Sequence, residues 1–178
     1  KTTLLQTLNL QPNGFVLATI HRNNNTDEPE RLSGIFESFN RLSLQHSLPF
    51  IIPLHPRTSK LLEKNLVPGL YAKVMGNTLL KIIPPVSFLE MIALEKNSRL
   101  IVTDSGGVQK EAFFFFFFCI ILRAQTEWIE LVECRAAKLA DTNIETIIAA
   151  FNSYLNATSM SFPPLFGDGK AAEFIAGE

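Results

Sequence analysis

Cysteine is scarce in this chain, with two in 178 residues, Cys119 and Cys134. A pair so placed makes neither a disulfide framework nor a spaced metal motif, and a reducing, cytoplasmic compartment is the expected location. Charge of one sign is also missing: 16 Lys and Arg stand against 17 Asp and Glu, a net charge of -1. That balance excludes the broad positive field with which a protein gathers nucleic acid or an anionic membrane, so neither is an expected partner and ligands must be recognised in local sites. Long apolar runs are absent as well. The longest, Ala112 to Leu122, has eleven residues, short of the roughly 20 that a helix needs to cross a bilayer. The opening Lys1-Thr2-Thr3-Leu4-Leu5 does not resemble a signal peptide. What is plentiful is apolar sequence in short pieces, 47% of the chain. That suffices for one globular domain, taken as residues 1–178.

Those pieces alternate between two periodicities. After a helical segment over 3–10 and a turn at Gln11-Pro12-Asn13-Gly14, residues 15–20 (F-V-L-A-T-I) predict a buried strand ending in His21-Arg22. The polar stretch 23–27 leads to Pro29, a favoured first helical position, and Leu32, Ile35, Phe36, Phe39 and Leu42 recur at helical spacing. Residues 50–54 predict a second strand before His55-Pro56-Arg57, then a helix over 59–65 and a loop at Pro68-Gly69. A third strand over 79–83 stops at Pro84-Pro85, and Ser87 caps a helix running to Lys96 with Phe88, Met91, Ile92 and Glu95 on neighbouring turns. Residues 100–102 are the fourth strand. Beyond it come a strand at 119–122, a short helix over 126–132, a last short strand at 138–139, a helix capped by Asp141 and Thr142, and a terminal helix over 170–175 after Gly167-Asp168-Gly169. The alternation predicts a doubly wound, Rossmann-like α/β fold with a parallel sheet. Ligands of such sheets lie at the carboxyl ends of the strands, near the point where strand order reverses. His21, His55, Pro85 and Ser105 all fall at those ends.

The block Thr103-Asp104-Ser105-Gly106-Gly107-Val108 carries the chemistry. It reads as strand, tight glycine turn and helix. Two glycines let backbone approach a ligand closely, and the first N–H groups of a helix have no intrahelical partner, so they point at an anion. Ser105 can cap the helix and add a hydroxyl. Glu111, six residues on and roughly 9 Å along the axis, can reach sugar hydroxyls. A nucleotide with its diphosphate at the turn fits this arrangement.

The segments A-T-I-H-R, P-L-H-P-R, T-D-S-G-G-V-Q-K-E-A, L-R-A-Q-T-E-W-I-E and G-D-G-K-A-A-E, in this order, resemble the C-terminal half of the non-hydrolysing UDP-N-acetylglucosamine 2-epimerase family. The resemblance implies one half of a two-domain GT-B-type fold, the N-terminal domain with most of the catalytic carboxylates being absent here. It implies that Ser105, Gly106 and Gly107 hold the UDP phosphates, that Glu111 takes the ribose hydroxyls, and that Val86 and Met91 lie against the uracil. Met91 stands where the family often has an aromatic ring, which exchanges stacking for a softer thioether contact. His21 matches the active-site histidine, placed to donate a hydrogen bond or proton to the departing UDP oxygen. The implied reaction interconverts UDP-GlcNAc and UDP-ManNAc by elimination and re-addition of UDP, with no metal or redox cofactor, in a full-length protein that is a homodimer through the missing half.

The pattern is also broken in places. Asn24 stands where a carboxylate is common, and Trp128 where an arginine is frequent, which leaves open a different UDP-2-acetamido sugar as substrate. His55 either serves the site or merely ends its strand, and Arg22 and Arg123 are either phosphate partners or surface charges. A glycosyltransferase donor domain and a non-catalytic nucleotide-sugar sensor are the competing functions. Residues Phe113 to Phe118 are six consecutive phenylalanines where relatives carry a turn. Successive residues point in different directions, so no single element buries all six on one side; either the helix and strand here are packed on all sides, or some of these residues are not those of the natural sequence, and a genuine, partly exposed run would aggregate.

Overall fold

In the computed structural model, which describes residues 3–157, 162–167 and 169–177, six strands form one parallel sheet in the order β3-β2-β1-β4-β5-β6. The strands are β1 (Val16–Thr19), β2 (Phe50–Pro53), β3 (Leu80–Ile83), β4 (Leu100–Thr103), β5 (Cys119–Ile121) and β6 (Ala137–Leu139). The chain winds outward from β1 to β3, crosses back, and winds the other way from β4 to β6. This is the expected doubly wound fold, with its reversal between β1 and β4.

Two layers of helices cover the sheet because strand side chains alternate between its faces. Val16, Ala18, Ile20, Leu100, Val102 and Ile120 face one apolar cluster. Leu17, Ile101, Cys119 and Ile121 face the other. The first cluster packs against α3 (Pro29–His46), where Leu32, Ile35, Phe36, Phe39 and Leu42 are all 0% exposed, and against α9 (Ile144–Leu155), whose Phe151 stacks on Phe50 at 5.8 Å. The second packs against α6 (Phe88–Asn97) and α7 (Gly106–Phe114).

Local differences from the sequence expectations have local causes. Residues 23–26, read as a polar lead, form the short helix α2 (Asn23–Thr26). The helix expected over 59–65 begins earlier, as α4 (Pro56–Asn65), because His55 caps it by accepting from the Arg57 N–H at 3.3 Å. The loop at Pro68-Gly69 hands over to a helix, α5 (Leu70–Gly76), with Gly69 at φ 83° in the left-handed conformation that glycine adopts freely. Asn143, rather than Asp141 or Thr142, caps α9 through the Thr146 N–H at 2.9 Å. The remaining helices are α1 (Leu4–Thr7), α8 (Ile129–Glu133) and α10 (Ala171–Gly177). Asp168 of the Gly-Asp-Gly segment lies outside the described residues.

The phenylalanine run is distributed across three structures rather than stacked on one. Phe113, in the last turn of α7, is buried against Phe162 and Phe166, Phe116 turns the chain at φ 63°, and Phe118 leads into β5 stacked on Tyr154 at 4.2 Å. Phe114 and Phe116 remain 50% and 65% exposed. Among the described residues no helix is long and apolar enough to cross a membrane.

Candidate active site at the switch point

β1 and β4 are neighbours in register, Thr19 beside Thr103. Their hydroxyls meet at 2.6 Å in the core, and the Thr103 hydroxyl also accepts from the Ser105 N–H at 2.9 Å. The two strand ends are therefore bound to each other before either loop begins. The next residue, Asp104, is fully buried, and its carboxylate is held by donors from the β1 loop. The His21 N–H reaches it at 2.9 Å, the Arg22 N–H at 3.0 Å and the Asn25 amide at 3.1 Å. A carboxylate removed from water needs such charge-assisted bonds. Asn25 extends the network by donating to the Leu122 carbonyl at 2.9 Å and accepting from Arg31, which pairs with Asp141 at 2.5 Å. This lattice fixes where His21 leaves the sheet. The His21 side chain itself is exposed.

Across the reversal, Ser105 caps α7: its hydroxyl oxygen accepts from the Val108 N–H at 3.5 Å. Using a lone pair for the cap leaves the hydroxyl proton available to a ligand. The Gly106 and Gly107 N–H groups open the helix with no acceptor among the described residues, as the first N–H groups of a helix do, and so could donate to an anion. A Cβ at Gly107 would meet nothing closer than the Ser105 hydroxyl at 3.8 Å, so the space over this turn is open. A Cβ at Gly106 would collide with the Glu127 carboxylate, which stays beside the turn by pairing with Arg123 at 2.6 Å. Burial raises the Glu127 carboxyl, but its own backbone N–H together with Arg123 and nearby Arg22 outweigh that and hold it below the usual range. Trp128 donates its indole N–H to the Gly106 carbonyl at 2.9 Å.

One helical turn further along, Glu111 is half-buried on α7. Val86 and Met91, at the start of α6, pack against the same apolar cluster as Val108 and Ala112 of α7. Ser87 begins that helix with a reciprocal capping box, its Oγ accepting from the Glu90 N–H while the Glu90 carboxylate accepts from the Ser87 N–H at 2.8 Å. The two bonds from Ser87 hold Glu90 below the ordinary carboxylate range. The sheet thus brings His21, Ser105, Gly106 and Gly107 to one edge, with Glu111, Val86 and Met91 on the adjoining helices. His55 is occupied as the α4 cap and Arg57 pairs with Asp27 at 2.8 Å, so the P-L-H-P-R segment organises its own loop.

Two residues to which the sequence reading gave no role stand out. Asp104 was visible only as the acid immediately after an apolar strand, a position where a buried charge is a signal in itself. Glu95 was visible as an acid on the apolar face of α6. It is 0% exposed, neither carboxylate oxygen has a hydrogen-bond donor, and burial, followed by the Glu111 charge, pushes it up to about 8. A separate cavity of about 650 Å³ lies between β6 and α9, lined by Val132, Arg135, Lys138 and Thr146 among others. Its lining has neither a glycine turn nor an acidic side chain. Among the described residues no group of three His, Cys, Asp or Glu side chains is arranged to hold a metal ion.

Comparison with known proteins agrees with this placement of the fold. The UDP-N-acetylglucosamine 2-epimerase family model matches residues 1–177. The chain is 43% identical over 163 residues to UDP-2,3-diacetamido-2,3-dideoxy-D-glucuronate 2-epimerase of Pseudomonas aeruginosa, covering 92% of this chain and 43% of that protein. It is 42% identical over 161 residues to UDP-N-acetylglucosamine 2-epimerase of Methanocaldococcus jannaschii, covering 90% and 43%. The crystal structure of the M. jannaschii enzyme in complex with UDP-GlcNAc and UDP superposes with a TM-score of 0.83 at 38% identity, over 99% of this chain and 48% of that one. The chain therefore spans a little under half the length of the relatives it matches. With a family model covering nearly every residue and relatives above 40% identity, the chain belongs to the UDP-N-acetylglucosamine 2-epimerase family.

Proposed function

We propose that this chain is the UDP-binding, C-terminal half of a UDP-N-acetylglucosamine 2-epimerase, which interconverts UDP-GlcNAc and UDP-ManNAc in a protein that also contains an N-terminal domain. The observation that carries the reading is the turn at Gly106-Gly107: two unpaired N–H groups, a helix N-terminus and an open approach, set at the reversal of strand order. In the reaction the C2–H bond breaks and its electrons form a C1=C2 double bond, while the C1–O bond breaks and UDP departs as an anion. Re-addition of UDP with protonation of C2 on the opposite face completes the inversion. The residues of this chain serve the leaving group. Gly106, Gly107 and the Ser105 hydroxyl stabilise the charge that grows on the diphosphate, the kind of preorganised donor set that lowers such barriers. His21, anchored through its N–H to Asp104, gives a hydrogen bond or proton to the departing oxygen. Glu111 holds the ribose hydroxyls, and Val86 with Met91 takes the uracil.

The base that removes the C2 proton belongs to the facing domain. These 178 residues alone are therefore expected to bind UDP and to turn over little or no substrate. Calorimetric titration with UDP, repeated on Ser105→Ala and Glu111→Ala, tests the reading. Saturable binding weakened in both variants supports it, and binding indifferent to both removes it.

A second reading has an observation of its own. The 43%-identical relative is named for a 2,3-diacetamido-glucuronate, and Trp128 rather than arginine closes the turn. The full-length protein given each UDP-sugar in deuterium oxide separates the two, since only the true substrate acquires deuterium at C2 rapidly.

A further inference from the structure

Glu95 has no place in the binding scheme above, yet its burial demands an explanation. Among the described residues it is a 0% exposed acid with two oxygens that meet no donor. Among the described residues no cation pairs with it. α1 (Leu4–Thr7) and β4 (Leu100–Thr103) carry no ionisable side chain. On β3, Lys81 donates to the Leu8 carbonyl at 2.9 Å. Lys96, next along α6, lies over the Phe115 ring at 4.8 Å, and on α7 Lys110 lies over the Trp128 ring at 4.4 Å. The ionisable group that acts on Glu95 is Glu111 itself. Two carboxylates facing each other without a cation cannot both be charged; one must keep a proton, and that proton supplies the missing hydrogen bond.

We propose that Glu95 is a positioning residue for the nucleotide site: as a neutral acid it donates its proton to one Glu111 oxygen, orienting the ionised Glu111 carboxylate toward the ribose hydroxyls. This rests on the assignment of Glu111 to the ribose. The geometry explains why an acid occupies an apolar helix face. An ionised Glu111 has acceptor sites on both oxygens, and a donor fixed behind it leaves the outward ones for the two ribose hydroxyls. Loss of the Glu95 proton would set two like charges against each other at the moment the nucleotide needs one of them in place.

The test uses the 178-residue chain, with UDP as the probe. Binding that requires the Glu95 proton weakens about tenfold between pH 7 and pH 9. Glu95→Gln keeps a donor that does not titrate. It is expected to bind within about threefold of wild type at pH 7 and to lose that pH dependence; titration of the uracil ring affects both proteins alike and cancels in their ratio. Glu95→Met, apolar and of similar volume, has no donor and is expected to bind at least about fivefold more weakly at pH 7, a split that a purely space-filling role would not produce. Carboxyl 13C NMR of the ligand-free chain gives an independent readout, in which Glu95 titrates above pH 7 and moves down in Glu111→Gln. Glu95 titrating in the ordinary carboxylate range, or parallel pH profiles for wild type and Glu95→Gln, would overturn the inference. If instead Glu111→Ala binds UDP as wild type does, the ribose assignment has failed and the positioning role goes with it.

Discussion

Replacing Asp104 probes the connection on which the whole site depends. Its buried carboxylate accepts from three donors on the β1 loop, two backbone N–H groups and the Asn25 amide. In Asp104→Ala all three lose a charged acceptor, and each buried donor left unsatisfied costs roughly 1–3 kcal/mol. Because the loop can partly open to water, a net loss of about 3–5 kcal/mol is expected. For a chain of this size that corresponds to a fall in Tm on the order of 10 °C. Asp104→Asn is the informative companion. Oδ2 alone lies within reach of all three donors, at 3.1, 3.0 and 3.1 Å, so an asparagine that keeps oxygen there retains every partner. Its amide nitrogen then confronts the His21 N–H, and about 1–2 kcal/mol is the expected loss. Urea and thermal unfolding of the three proteins supply the comparison. A Tm for Asp104→Ala within a degree or two of wild type would refute the claim that this carboxylate ties the two strand ends together.

Other consequences are as specific. Gly107→Ala fits sterically and replaces a poor helix former, so stability should hold or rise by up to about 1 kcal/mol; the new methyl stands over the turn, and UDP titration should show binding reduced at least about tenfold. Phe116 sits at φ 63° and is 65% exposed, so Phe116→Gly should be neutral or stabilising by about 1 kcal/mol, and light scattering at high concentration should show less self-association. Glu95 gives a pH signature of stability. In the folded chain it keeps its proton to about pH 8, while an unfolded glutamate loses it near 4.5, so the folded state binds more protons in that window and stability falls as pH rises through it. Unfolding of Glu95→Gln measured from pH 5 to pH 8 should lack that decline, and equal slopes would contradict the buried acid.

The strands and the long helices were legible because burial imposes a period that survives in one sequence. Leu32, Ile35, Phe36, Phe39 and Leu42 announce α3, and the short apolar runs announce β1, β2 and β4. The turn at Ser105-Gly106-Gly107 was legible for a different reason: glycine pairs and capping residues have few uses. What stayed hidden depends on partners distant in sequence. The α9 cap moved to Asn143 because three adjacent polar residues compete and only geometry chooses. α5 follows a Pro-Gly pair that equally starts a loop. Asp104 owes its role to donors some 80 residues earlier, and Glu95 to a carboxylate on the next helix. Neither pairing leaves a local pattern. For the six phenylalanines the sequence excluded burial on one side of a single element, and in the structure Phe114 and Phe116 are the exposed ones.

The account's central claim is that UDP binds at the turn between β4 and α7. A two-dimensional 15N–1H NMR titration of the chain with UDP tests it residue by residue. The account predicts that the Gly106 and Gly107 amides shift most, downfield as their N–H groups meet phosphate, with Ser105, Val108 and His21 following and α9 unmoved. Shifts centred instead on the cavity between β6 and α9, around Lys138 and Thr146, or a saturating titration that leaves both glycine amides in place, would contradict it.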